Sequence, residues 1–223
     1  MKIAQMEIEV EKKKIKNLHL YVLPPDGKVR VTAPKSVSDA TIRVFVESKL
    51  AWIDAQQQKI QMRPRQAELQ YVSGEQIPLW GKWFTLVVQP AQGKQDVLMD
   101  GDSVFLHTRP ETNRAQREAL ILQWYREQMT YEIVPLLEKW QTRMGVQTTA
   151  WGIKNMKTRW GTCNFRDRRI WLNLQLAKKD LICLEYVVVH ELAHLIVSNH
   201  SKEFKDVLSR FLPGWKDIKK TLV

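Results

Sequence analysis

The chain has 223 residues, 44% of them hydrophobic, enough to build one large core or two small ones. Its two cysteines, Cys163 and Cys183, exclude a disulfide framework, and no apolar run approaches the length of a membrane span. The segment Met1 to Glu9 carries no apolar h-region, so a secretory signal is not expected and a soluble, cytoplasmic protein is.

The first third reads as β-structure. Met6–Val10 and Ile15–Leu23 alternate in part, Pro24-Pro25-Asp26-Gly27 signals a turn, and Val29–Thr32 resumes as a strand that Pro34 ends. Ser36 or Ser38 can cap one helix in which Ile42, Phe45, Val46, Leu50, Ile53 and Ile60 recur at helical spacing. That helix should run to about residue 61, where Arg63-Pro64-Arg65 breaks it. Short strands are expected at 70–72, 77–80, 83–89, 97–99 and 104–106, the last two joined by Asp100-Gly101-Asp102. His19 and His107 are lone histidines in strand-like segments and read as structural or exposed.

A long helix follows, from about Asn113 to Met144, with a kink expected at Pro135 and a cap at Gly145. Strands are then expected at 151–156 and 169–174, joined by a basic loop from Gly161 to Arg168. Asp180 can cap a helix from Leu181 to Val197, Ser198-Asn199 interrupts it, and Ser201 can cap a last helix to Leu212. Asn199 reads as a turn residue in a left-handed backbone. No internal repeat is evident. The whole is an α+β chain. A β-rich amino-terminal region, residues 1–111, serves as scaffold or lid to a metal-binding domain, residues 112–223.

Charge is uneven along the chain. Residues 1–111 hold 16 basic and 13 acidic groups, and residues 112–223 hold 19 and 11. Such a basic half attracts acidic peptides, nucleotides or nucleic acid.

The same half holds the chemistry. His190-Glu191-Leu192-Ala193-His194 spells H-E-x-x-H inside an apolar run. Histidines four apart share one helix face and can reach one metal ion, and the adjacent Glu191 is placed to deprotonate a metal-bound water. His200 is the candidate third ligand, with Glu203 as competitor or outer support. Three ligands and one open position describe a catalytic zinc, with Mg²⁺ or Mn²⁺ as alternatives. Arg159, Asn173 and Tyr186 are the candidate donors to an oxyanion or to substrate, although Tyr186 also reads as a packed aromatic and Phe204 as core. The segment 169–176 is the candidate edge strand for an extended peptide.

Lys157-Thr158-Arg159-Trp160-Gly161-Thr162-Cys163 is similar to the K-[ST]-R-W-G-[ST]-C signature of the YgjP-like metallopeptidase family. Tyr186 to His194, followed by Asn199-His200-Ser201 and Phe204, resembles its second block, and Val29 to Pro34 with Leu79-Trp80-Gly81 fit its amino-terminal part. Lys205 departs from it, since a Trp commonly follows the Phe. The resemblance implies a small zincin-like catalytic domain, distantly similar to the WLM and SprT-like proteases that act on DNA-bound proteins. Relatives of that kind place a third His shortly after the helix, which supports His200. The leading expectation is a zinc peptidase using Glu191 as base. A metal-dependent nucleotide phosphohydrolase is second. A DNA-associated protease or a non-enzymatic nucleic-acid-binding module is third.

Overall fold

Alternating apolar residues in the first third build a four-stranded sheet. The computed structural model describes residues 1–3, 6–23, 26–62 and 68–222. β1 (Lys2–Ile3), β2 (Met6–Lys13), β3 (His19–Leu23) and β4 (Lys28–Pro34) pair in the order β1-β2-β4-β3, with β2 and β4 parallel and the outer pairs antiparallel. Pro24 and Pro25 of the expected turn, and the expected break at Arg63-Pro64-Arg65, lie outside the described residues. Val29, Val31 and Ala33 of the central β4 are buried with Ile42 and Val46 of α1 (Asp39–Glu47) and Ile53 of α2 (Leu50–Met62). Ser38, not Ser36, caps α1. The single expected helix is two: Ser48 is the C-cap of α1, with its hydroxyl donating to the Phe45 carbonyl at 2.7 Å, and α2 begins at Leu50.

The next strands are β5 (Gln76–Leu79), β6 (Lys82–Pro90), β7 (Asp96–Asp100) and β8 (Ser103–Thr108), and residues 70–72 form none. They pair as β5-β6-β8-β7, again with a parallel central pair and antiparallel outer pairs. The two sheets thus repeat one topology, although the sequence shows no repeat. Pairing direction and strand order survive any exchange of one β-forming residue for another. The β5–β6 turn is a two-residue hairpin, with Trp80 at φ +49 and Gly81 at φ +76. A Cβ at Gly81 would stand 1.7 Å from an Asp180 carboxylate oxygen, so only glycine lets this turn approach the segment that opens the metal helix.

α3 (Arg114–Met144) begins in an Asn113–Gln116 capping box, continues through Pro135 and ends at Gly145, which is left-handed at φ +66. Its buried face, including Ile121, Tyr125, Met129 and Ile133, shares one core with Ile77, Leu86, Val104 and Leu106 of the second sheet. The chain therefore divides into compact units of residues 1–68 and 69–223, not near residue 111 as the sequence suggested. Strands β5–β8 need α3 to bury their apolar face.

Beyond α3, β9 (Ala150–Lys154), β10 (Gly161–Asn164) and β11 (Arg169–Asn173) form a sheet in the order β10-β11-β9. A short 3₁₀ turn (Leu174–Lys178) leads into α4 (Leu181–Ala193), α5 (Lys202–Phe211) and α6 (Trp215–Thr221). Asp180 precedes α4 without a side-chain cap bond, whereas Ser201 caps α5 as expected. All three sheets mix parallel and antiparallel pairs, and the fold is α+β. Among the described residues no helix is long and apolar enough to cross a membrane.

Asn173 holds the β9–β10 connection. Its amide nitrogen donates to the carbonyls of Met156 (2.9 Å) and Arg159 (2.6 Å), and its oxygen accepts from the N–H groups of Met156 (3.2 Å) and Gln175 (3.1 Å). Asn173→Ala should cost about 2–4 kcal/mol, since it strands several part-buried backbone groups. Urea unfolding checks this: the midpoint should fall with an unchanged slope.

Candidate metal centre

α4 is a buried helix that ends in chemistry. Leu184, Val188, Val189 and Leu192 are fully buried, so the helix cannot rotate, and its last turn delivers His190 and Glu191. His194 is the C-cap residue; the helix stops there and not at Val197. Asn199 then turns the chain through its side chain, which accepts from the Ser201 N–H at 3.0 Å. Its backbone is not left-handed, contrary to expectation. This turn returns His200 to the other two histidines.

The ligand nitrogens of His190, His194 and His200 lie within 4.8 Å of one another, and among the described residues no other such cluster forms. The Nε2 atoms of His190 and His200 are 3.1 Å apart. Two nitrogens on one tetrahedral ion at 2.0–2.1 Å would lie about 3.3 Å apart. Phe204, 1% exposed, is the common floor, with its ring centroid 5.0, 4.6 and 4.9 Å from those of His190, His194 and His200. Tyr186 meets His190 edge-on and stacks parallel to Trp215. His190 Nδ1 is buried without a hydrogen-bond partner among the described residues, and aromatic neighbours pack around this ring.

The electrostatics fit a divalent cation. Burial, then His194, His200 and Lys219, hold His190 down to about 3, and burial, then His200, lower His194. Burial pushes the Glu191 carboxyl up to about 8, and Arg159 opposes it. These groups are driven toward neutrality with their lone pairs converging, and a dication is the charge that reverses the cost of ionising Glu191.

Glu191 is 4% exposed and rests on Gly161 of β10. A Cβ at Gly161 would stand 2.5 Å from its Oε1 and 2.8 Å from its Cγ. In the sequence this glycine only opened the expected basic loop; in the structure it leaves the space that the carboxylate fills.

The centre opens on a cavity of about 570 Å³. Its walls include β10, through Gly161, Thr162 and Cys163, and the carboxy-terminal segment, through Lys219 and Leu222. The Trp160 indole donates to the Leu222 carbonyl at 3.0 Å and ties these walls together. β10 is an edge of its sheet, whereas the expected edge segment, 169–176, supplies the central strand β11 and the start of the 3₁₀ turn. Four residues, Gly161-Thr162-Cys163-Asn164, gave β10 no alternation to read, and α6 left no helical stripe long enough to mark it.

The other candidates divide. Arg159 and Tyr186 line the cavity. Asn173 does not; its amide is committed to the β9–β10 connection, which removes it as an oxyanion donor. Glu203 is exposed in the first turn of α5, outside both the triad and the cavity wall, where its charge favours the helix terminus. His107 pairs with Asp96 at 2.7 Å, His19 packs beside Tyr21, and both cysteines are free.

Comparison with solved structures finds the metallopeptidase zymogen abylysin of Pyrococcus abyssi, 26% identical, covering 40% of this chain and 90% of that one at a TM-score of 0.37. It also finds the metallopeptidase zymogen jannalysin of Methanocaldococcus jannaschii, 21% identical, covering 40% and 92% at a TM-score of 0.37. No curated protein matches. The family model described as YgjP-like, metallopeptidase domain, matches residues 16–223. With nearly its whole length matched and a three-histidine centre in place, the chain belongs to the YgjP-like metallopeptidase domain family and is a metal-dependent hydrolase.

Proposed function

We propose that this is a zincin-like peptidase in which Glu191 is the general base and His190, His194 and His200 hold zinc. The observation that carries the reading is the convergence of three imidazoles beside a buried carboxylate seated on glycine. A zinc ion in the triad would supply the Lewis acid that brings a water's pKa near neutrality and polarises the scissile carbonyl.

The chain's own residues do the rest. Glu191 accepts a proton as the water oxygen bonds to the carbonyl carbon. It returns that proton to the amide nitrogen as the C–N bond breaks. Tyr186 faces the same cavity, and burial, then Glu191, push its phenol up to about 12, so it stays a donor to the developing oxyanion. The open edge of β10 holds the substrate backbone as an added strand, taking the place first assigned to 169–176.

The nucleotide reading draws on the cations of the cavity. It is second because Mg²⁺ and Mn²⁺ prefer oxygen ligands, and an all-imidazole set suits zinc. A non-enzymatic centre needs four protein ligands, and three histidines gather here.

Purified without chelators, the protein should hold about one zinc per chain by elemental analysis. His200→Ala should weaken that binding by more than the ~10–100-fold that loss of an outer-shell partner costs, read by competition with a chromophoric chelator. Glu191→Gln should keep the metal and lose about 10²–10⁴-fold in peptide turnover; turnover retained in this variant sinks the mechanism. Gly161→Ala should also keep the metal and lose roughly 10²-fold, because the carboxylate must move off its seat.

A further inference from the structure

The six basic residues between Lys154 and Arg169 have different occupations. Lys154 lies over the Trp171 ring at 3.6 Å, Arg166 lies over Phe165 at 5.9 Å, Arg168 donates to the Gln147 carbonyl, and Arg169 pairs with Asp167. Lys157 and Arg159 make neither an ion pair nor a side-chain hydrogen bond among the described residues, and Arg159 lines the cavity. α6 repeats the pattern. Lys220 pairs with Asp217 at 2.6 Å, while Lys219 makes no ion pair or side-chain hydrogen bond among the described residues and lines the same cavity.

Two uncommitted cations therefore face the reaction space from two different elements. Arg159 comes from the β9–β10 connection and Lys219 from α6. Both stand on the wall that also carries Glu191 and the three histidines. Among the described residues Glu191 is the one acid of the cavity wall, and the proposed hydrolytic step already employs it. An unpaired cation beside a part-buried cavity keeps its field for whatever enters. With a dication in the triad, the cavity disfavours basic side chains and favours an anionic group on the substrate.

The geometry points to a substrate that carries an anionic group next to the scissile bond, recognised by Arg159 and Lys219. This rests on the peptidase reading and names its substrate class: acidic peptides, whose anion is a carboxylate or a phosphoryl group.

Binding tests it separately from turnover. The probe is zinc-loaded Glu191→Gln protein, titrated by fluorescence anisotropy with peptides that differ only in Glu, Gln, Lys or phosphoserine beside a central Ala-Ala. The Glu peptide should bind about tenfold tighter than the Gln peptide at low salt, with the Lys peptide weakest and the differences shrinking as salt rises. The phosphoserine peptide tells a phosphoryl from a carboxylate preference. Lys219→Gln and Arg159→Gln, both at exposed positions, should each lower the Glu-to-Gln ratio, and Lys219→Glu should reverse the order of the Glu and Lys peptides.

Equal affinities across the set, or an unchanged ratio in both variants, overturn the inference. So does a nucleoside triphosphate that binds where no peptide discriminates. Cleavage by the wild-type protein without an acidic preference overturns this inference and leaves the peptidase reading. An acidic preference in binding, with no peptide cleaved, does the reverse.

Discussion

The burial of α4 is the constraint from which the centre follows. Its apolar residues lock against α3, the third sheet and the 3₁₀ turn, so its rotation is set before any polar group is considered. That rotation carries two imidazoles and a carboxylate to the wall of a cavity. Placing such groups there costs free energy unless they share a partner. The packing that stabilises the unit thus creates an electrostatic debt at one point, and a cation is what settles it.

Around that point the supports are mostly apolar or backbone. Phe204 underlies all three imidazoles, Tyr186, itself stacked on Trp215, meets one of them, and Gly161 yields its side-chain volume to Glu191. Asn173 and the Trp160 indole hold the connecting segments, so polar side chains act here as fasteners away from the ion. Shape more than hydrogen bonding keeps the ligands aimed.

What could be read in the sequence was whatever a period or a residue type dictates locally. His190, Glu191 and His194 were legible because helical spacing alone gathers them, and His200 because Asn199 and Ser201 mark a turn and a new helix. Asn173 was misread because an amide is as good a donor to an oxyanion as to a carbonyl; only its neighbours decide. Gly161 and Lys219 reach the cavity only through approaches between segments distant in the chain. The boundary near residue 111 failed because the strands β5–β8 carry their own alternation, and nothing in that pattern says which helix will cover them. The repeated sheet topology was invisible for the complementary reason, since different residues satisfy the same pairing rules.

Phe204 has a thermodynamic consequence. One ring, anchored in the first turns of α5, touches every ligand of the centre. Ion occupancy and the docking of α5 are therefore two faces of a single equilibrium. An ion that draws the imidazoles together tightens the socket that α5 plugs, and an emptied centre loosens it. Hydrogen exchange along α5 would then report on the metal without any substrate, and proteolytic nicking of the emptied protein would begin between His200 and Arg210.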